Sequence, residues 1–206
     1  MTTPLDKPTK AFMAAPFPSD ATSARALESQ LREMYGRAAY THKTHQKMAD
    51  NYVTRYKRIK VTEIALSAAT ASSLLLAIFG DEPAGTVIGA LLSTVLLGFT
   101  LYFKEASLGE QAQKHTEVGA KLWGVREALL SLLVDMKDGR AQDEVRLQRD
   151  RLNAQLEDIY KAAPRTDTKA YEAAQKALKE SEELFFADEE LDRILPKQLR
   201  TSGRNS

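Results

Sequence analysis

The chain has 206 residues, a formal net charge of +1 and no cysteine. A net charge near zero gives no general reason to expect nucleic-acid binding, and the lack of cysteine excludes disulfides, thiolate metal sites and a cysteine nucleophile. Charged residues make up 28% of the chain, as in many soluble proteins, but they are distributed unevenly. A central region is almost free of charge, and it decides the class of protein.

The N-terminal part divides into a tail and a helix. Residues 1–21 contain several prolines and neither a long apolar run nor helical periodicity, so they are predicted to be a disordered tail and not a signal peptide. A helix is expected over residues 22–63. Within it, from Ala38 to Ile59, the inward positions recur at alternating steps of four and three, which is typical of a coiled-coil seam.

Two uncharged stretches follow, residues 64–80 and 83–103, separated only by Asp81 and Glu82. As helices they would extend about 25 Å and about 31 Å, against about 30 Å for the hydrocarbon core of a bilayer. The sequence therefore predicts a transmembrane hairpin over residues 64–103. The alternative is a soluble hairpin buried in a larger core, but a chain of this length cannot easily surround two such helices.

The charges beside the hairpin predict its orientation. Short segments rich in Lys and Arg remain in the cytoplasm, and the tip at residues 80–83 carries no basic residue. Both termini are therefore expected to be cytoplasmic in a multi-pass membrane protein. The basic residues that flank the two spans are Arg55, Lys57, Arg58, Lys60 and Lys104.

Residues 104–137 are expected to continue the second span as a cytoplasmic helix, with the same steps of four and three from Leu108 to Met136. The two arms should then form an antiparallel coiled coil. With the turn at residues 81–83, His45 should face Gly119, and Ala49 should face His115. The seam is predicted to contain His42, His45, Ala49, Tyr52, Ala112, His115, Gly119, Leu122 and Arg126.

A C-terminal helical region is predicted over residues 141–200. One helix should run to about Ala163, where Pro164 ends it, and another from about Thr168 to Phe186. Residues 201–206 are expected to be a disordered tail. The predicted fold is an all-α membrane protein: a two-helix transmembrane hairpin, extended into a cytoplasmic antiparallel coiled coil, with two further C-terminal helices.

The three histidines are the only candidates for a metal site. His42 and His45 lie three residues apart on one helix, and His115 lies on the opposite arm. The favoured interpretation is that they are hydrogen-bonded seam residues; a pH-sensitive switch and a metal clamp are the alternatives. The sequence has no phosphate-binding glycine loop, no Gly-x-Ser-x-Gly elbow and no His-Glu-x-x-His motif. No enzymatic activity, catalytic residue or cofactor is predicted.

Small and hydroxyl side chains recur in both spans, at steps of three in the first and of seven in the second. Close packing of helices explains such residues most simply. Pore lining is the sharper hypothesis, and it requires several hairpins because neither span contains an ionisable residue. The residues concerned are Ser67, Thr70, Ser73, Thr86, Gly89, Ser93 and Thr100.

Several local strings, in their order around the hairpin, resemble those of the SLATT domain. The strings are YTHK at 40–43, LWGVRE at 122–127, LLVD at 132–135, RDRL at 149–152 and DEELD at 188–192. The resemblance covers about residues 22–200. SLATT domains are two-transmembrane effectors associated with bacterial nucleotide-signalling conflict systems.

The resemblance implies an antiphage effector that oligomerises in the bacterial inner membrane, forms a pore or disrupts the bilayer, and causes growth arrest or cell death. It also implies a regulatory partner or signal from a nucleotidyltransferase or reverse transcriptase system, while nothing indicates direct nucleic-acid binding. A membrane-anchored coiled-coil scaffold without conducting activity is the main alternative. A helical enzyme is a further one.

Overall fold

The computed structural model describes residues 20–80, 83–181, 186–196 and 200. The acidic tip formed by Asp81 and Glu82, the predicted tail at residues 201–206 and all but the last two residues of the predicted tail at residues 1–21 lie outside these residues; Asp20 and Ala21 belong to the first helix. No strand occurs in the described part of the chain, so the all-α prediction is confirmed. The helices are α1 (Asp20–Phe79), α2 (Pro83–Glu105), α3 (Leu108–Lys137), α4 (Gln142–Ala162), α5 (Thr168–Lys179) and α6 (Asp188–Ile194).

Helix α1 is a single unbroken helix of 60 residues. It contains no proline, and Gly36 is its only glycine, so nothing in its interior favours a break. At 1.5 Å per residue it is about 90 Å long. The helix ends before Gly80, whose N–H donates to the carbonyl of Leu76 at 2.9 Å. One helix thus joins the predicted arm to the predicted first span without interruption.

The second span does not continue as one helix, which corrects the expectation for residues 104–137. Helix α2 begins with Pro83, a residue suited to a first turn, and ends at Glu105. Ser107 then adopts a left-handed conformation with φ 40° and ψ 43°, and α3 begins at Leu108. The interruption contains neither glycine nor proline, and for this reason the sequence pattern did not indicate it.

The polar ends of α1 and α3 form a bundle with α4. Leu31 and Met34 of α1, Leu122 and Leu129 of α3 and Val145 of α4 are almost completely buried in one apolar core. Further residues of α4 on the same face complete this core, namely Leu152, Leu156 and Ile159. The amphipathic pattern predicted for the third helix therefore faces the α1–α3 pair.

Helix α5 packs on α1 through small side chains. The carboxylate of Asp167 caps the helix by accepting the N–H of Ala170 at 2.7 Å. Ala170, Ala174 and Ala177 are buried, which lets α5 approach α1 closely. The helix ends at Lys179, well before the predicted end at Phe186; residues 182–185 lie outside the described part of the chain.

The apolar ends of α1 and α2 are exposed, unlike the core of a soluble protein. Each of the two long helical segments contains a window long and apolar enough to cross a membrane, and only 6% of each window is buried. Large side chains such as Leu76, Ile78 and Leu91 are 64–70% exposed. Such a surface is typical of helices surrounded by lipid, which argues against the soluble alternative.

Candidate functional site

The two spans touch through small residues near the tip. A Cβ atom added to Gly85 would lie 2.8 Å from the carbonyl oxygen of Ser73 and 3.2 Å from Cβ of Ala77. At Gly89 it would lie 2.9 Å from Oγ of Ser73. Because any side chain at these glycines would collide with α1, the glycines set how closely the two helices approach. Gly85 and Gly89 form a Gly-x-x-x-Gly motif, a sequence signal for this contact that the seven-residue spacing had obscured.

On the first span, the three predicted hydroxyl residues occupy different environments. Ser73 is buried against α2, Thr70 is half-buried, and Ser67 is exposed. Each hydroxyl donates to a carbonyl of α1 three or four residues earlier, at 2.8–2.9 Å. These side chains therefore satisfy their hydrogen bonds within their own helix, as expected of hydroxyls in an apolar environment.

On the second span, the predicted common face is divided. Gly89 is buried against α1. Thr100 is half-buried and also faces α1, whereas Thr86 and Ser93 are exposed. The seven-residue spacing of the hydroxyls does not match the row of residues that contacts α1. The structure therefore brings Ser73 and Gly89 together, and it places Thr86 and Ser93 on an outer surface.

A polar contact joins the spans at their basic end. The hydroxyl of Thr100 donates to the carboxylate of Glu63 at 3.0 Å, and the ammonium of Lys60 lies 2.8 Å from the other oxygen of that carboxylate. The sequence interpretation gave Thr100 a packing or lining role and did not pair it with Glu63. A pairing of residues 37 positions apart carries no local sequence signal.

The three histidines lie in the interface between α1 and α3, where all are at most 3% exposed. Nδ1–H of His42 donates to the carbonyl of Gly119 at 2.8 Å. Nδ1 of His45 and Nδ1 of His115 are 2.8 Å apart, so one ring donates a hydrogen bond to the other. The ring of Tyr52 stacks on His115 with centroids 5.6 Å apart.

These contacts correct the predicted register. Gly119 faces His42 instead of His45, and His115 contacts His45 instead of Ala49. The displacement is about one helical turn. A seam with steps of four and three has the same appearance after such a displacement, so the pattern could not distinguish the two registers. Other predicted seam residues are also buried here, namely Ala49, Ala112, Leu122 and Arg126.

Burial disfavours the charged form of all three histidines and lowers the pKa of each. The pKa of His45 is lowered to about 4, mainly because the ring is withdrawn from water and also because His115 and His42 lie nearby. Burial also lowers the pKa of His42, an effect that the bond to Gly119 opposes and the charge of Arg126 reinforces. The pKa of His115 is lowered by burial as well, although Asp167 opposes that shift.

The geometry does not assemble a metal site. Nδ1 of His45 and Nδ1 of His115 are hydrogen-bonded to each other, and Nδ1 of His42 is bonded to a carbonyl. Within the described ranges, no group of three or more histidine, cysteine, aspartate or glutamate side chains could hold a metal ion. What the arrangement provides instead is a layer of polar groups that fixes α1 against α3.

Arg126 and Trp123 extend this layer. The guanidinium of Arg126 lies 4.0 Å from the centre of the Trp123 ring and donates through Nε to Glu127 at 3.0 Å. The centroids of the His42 and Trp123 rings are 5.4 Å apart. The sequence interpretation placed Arg126 in the seam but missed Trp123, whose position beside the seam is not part of the repeat.

Comparison with known proteins gives one family match for the sequence. The family model described as SMODS and SLOG-associating 2TM effector domain family 4 matches residues 27–190, which include both spans and most of the polar helices. No curated protein and no solved structure shows a significant match to the chain.

Proposed function

The chain belongs to the SMODS and SLOG-associating 2TM effector domain family, and from this premise we propose that it is a non-enzymatic membrane effector of bacterial antiphage defence. Several copies assemble in the inner membrane, form a pore or disrupt the bilayer, and so cause growth arrest or cell death. The resemblance noted in the sequence and the family match both support this class of function.

The observation that carries the pore proposal is the division of small and hydroxyl side chains between two faces of α2. Gly85 and Gly89 are occupied by the contact with α1, so the two spans of one hairpin leave no space for water between them at this end. Thr86 and Ser93 lie on the outer surface, where they are available to another copy or to a lumen. An assembly of hairpins is therefore required for a conducting path.

The orientation proposed for the hairpin follows from its charges. Arg55, Lys57 and Arg58 precede the first span, and Lys104 follows the second, while the tip has no basic residue. The positive-inside rule then favours a cytoplasmic location for both termini and for helices α3 to α6. In this orientation the α1–α3–α4 bundle faces the compartment in which a nucleotide signal is made.

The family description associates these effectors with SMODS and SLOG proteins. We therefore propose that a sensor or signal from a nucleotidyltransferase or reverse transcriptase system regulates this chain. The polar helices are the part that such a partner can reach. The activity of the chain should therefore be measured in cells that also express the genes flanking its own.

Membrane permeability tests the proposal. In bacteria that express the full chain with its flanking genes, activation is expected to depolarise the membrane, and the purified chain is expected to release dye from vesicles. Ser93→Leu should remove this leakage while insertion is retained, because Leu favours the membrane. Thr94→Leu is the matched control: Thr94 is also exposed, but it lies on another face of α2 and bonds only to the carbonyl of Ala90.

Gly89→Leu should also remove leakage, but for a different reason, because it disrupts the contact with Ser73 inside one chain. If activated wild-type protein is oligomeric and passes neither ions nor small dyes, the pore proposal fails. Equal losses of leakage from Ser93→Leu and Thr94→Leu would contradict the assignment of the Ser93 face to the lumen, but they would not contradict pore formation.

A membrane-anchored scaffold is the second candidate function. One observation favours it: Trp123, Leu130 and Val134 are 43–50% exposed along one side of α3, outside the spans. Apolar side chains in such a row are suited to binding another protein. Under this alternative, wild-type protein causes no leakage, and Leu130→Ser reduces partner capture without changing membrane insertion.

A further inference from the structure

A cleft of about 320 Å³ lies where α2 ends and α3 begins, against the side of α1. One part of its wall is apolar and includes Phe99 and Phe103, whose rings are 4.6 Å apart between centroids. Another part is polar and includes Ser107, the cations Lys60 and Lys104 and the carboxylates Glu63 and Glu110. The cleft therefore joins an aromatic surface of the span to a charged surface at the end of the span.

The lining carries two lysines, Lys60 and Lys104, and two glutamates, Glu63 and Glu110, so its formal charges balance, but they are not all paired with one another. The ammonium of Lys60 is paired with Glu63 at 2.8 Å, and the carboxylate of Glu110 is paired with Lys114 at 2.7 Å. No ion pair joins Lys104 to any residue in the ranges 20–80, 83–181, 186–196 and 200. Lys104 is thus a cation in the wall of a cleft where both carboxylates already have partners.

The interruption between the two helices also leaves donors in this wall. The left-handed Ser107 precedes α3, and its side chain makes no capping hydrogen bond. The N–H groups in the first turn of a helix have no partner within the helix, so those near Gly109 can donate to an anion beside Lys104, while the carboxylate of Glu110 in the same turn is held by Lys114. A continuous helix through residues 106–107 would have consumed these donors.

The position of the cleft relative to the spans indicates which kind of ligand can enter it. It lies at the basic end of α2, where the apolar span gives way to the polar helices, so it opens at the depth of lipid headgroups. A bilayer offers one kind of molecule with an anionic group and an apolar chain at this depth. An acyl chain fits Phe99 and Phe103, and a phosphate fits the ammonium of Lys104.

We propose that this cleft binds an anionic phospholipid of the leaflet at the basic end of the hairpin, with the phosphate on Lys104 and an acyl chain against Phe99 and Phe103. The lipid fills the space at the α2–α3 interruption and fixes α3 relative to the membrane surface. This binding does not depend on pore formation, so it stands or fails separately from the proposed function.

The test uses the full chain in a neutral detergent, with thermal unfolding and native mass spectrometry as measurements. Phosphatidylglycerol should raise the unfolding midpoint and remain bound, whereas phosphatidylcholine should do neither to the same extent. Lys104→Gln should weaken the apparent affinity for phosphatidylglycerol about fivefold, the size expected for one basic contact near an anionic lipid. Lys57→Gln is the matched control, because Lys57 belongs to the same basic flank but does not line the cleft.

A second pair of variants tests the space in the cleft without changing its charge. Gly109 lines the cleft and has nothing within 4 Å of an added Cβ, so Gly109→Phe can fold while it fills the space. It should reduce retention of phosphatidylglycerol. Gly124→Phe, at another glycine of α3 with nothing within 4 Å, should leave retention unchanged.

Three outcomes would overturn the proposal. Equal losses in Lys104→Gln and Lys57→Gln would mean general attraction between the basic flank and anionic lipid. Equal stabilisation by phosphatidylglycerol and phosphatidylcholine would show that the cleft does not select a lipid by its negative charge. The same stabilisation by inorganic phosphate alone would show that the cleft selects a free anion and not a lipid.

Discussion

Helix α1 passes through two environments, and the contacts it makes differ between them. In its polar half, large side chains such as Leu31 and Met34 are buried, and α3, α4 and α5 cover it. In its apolar half, α2 is the partner, contact occurs at Gly85 and Gly89, and the remaining apolar surface is exposed. Water drives the burial of large apolar groups, whereas lipid does not, so helices in lipid are held by close approach.

The largest loss of stability is expected from a large side chain introduced where the two spans approach each other most closely. Gly85→Leu should destabilise the protein by about 3 kcal/mol, at the upper end for overpacking, because even a Cβ would lie 2.8 Å from the backbone of α1. The unfolding midpoint in detergent measures this loss. Gly98→Leu is the control, since nothing lies within 4 Å of a Cβ there. Similar midpoints for the two variants would contradict the role given to Gly85.

Acid should weaken the polar interface and not the span contact. The folded-state pKa of His45 is about 4, below its unfolded value of about 6.5, so the unfolded chain binds more protons between these values. Stability should therefore be full above about pH 6.5 and decrease as pH falls towards 4, by about 2 to 3 kcal/mol. The lowered pKa values of His42 and His115 act in the same direction.

The variant His45→Gln isolates this effect. It retains a group able to form a hydrogen bond with His115 but removes the titration, so its unfolding midpoint should change less with pH than that of the wild type. Midpoints are to be compared at steps from pH 7.5 to 4.5. Parallel pH curves for the two proteins would show that carboxylates, and not this histidine, cause the loss.

A smaller effect should distinguish the observed register from the predicted one. Gly119 faces His42 and Gln46, with three atoms at 3.9 Å from an added Cβ, so Gly119→Ala should be tolerated and Gly119→Leu should cost about 1 to 2 kcal/mol. His42→Ala should relieve part of that cost, since it removes the ring in contact. Relief by His45→Ala and not by His42→Ala would contradict the contact between Gly119 and His42. Gly124→Leu is the neutral control.

The smallest expected effect concerns the polar contact between the spans. Thr100→Val removes the hydrogen bond to Glu63 without changing shape greatly and should cost about 0.6 kcal/mol, the average for such bonds in membrane proteins. Thr94→Val, which removes only a bond to its own helix, should cost less. The ratio of unfolded to folded protein in mixed detergent gives both values. A larger loss of stability from Thr94→Val than from Thr100→Val would contradict a stabilising role for the Thr100–Glu63 hydrogen bond.

Much of the helical pattern could be predicted from the sequence because its signals are local. The absence of proline and the single Gly36 predict a long α1, and Asp138 and Gly139 predict the end of α3, where Gly139 has a φ of 92°. The break at Ser107 has no such signal, because serine does not favour the left-handed conformation that it adopts there.

The site was less predictable because it depends on which faces meet. The spacing of Thr86 and Ser93 indicates a row of hydroxyls, but not whether that row faces α1 or the lipid. The Gly85–Gly89 motif provides the direct signal for the contact face. The pair formed by His45 and His115 depends on a register that a repeating pattern leaves undetermined.

Trp123 gives this protein an intrinsic optical reporter. It is the single tryptophan of the chain, and its indole lies beside the ring of His42 and under the guanidinium of Arg126. Its fluorescence therefore originates from the α1–α3 interface alone, and a change in the distance or protonation of His42 changes the quenching of the indole. Excitation near 295 nm can follow this interface in vesicles without a label, while the spans remain spectroscopically silent.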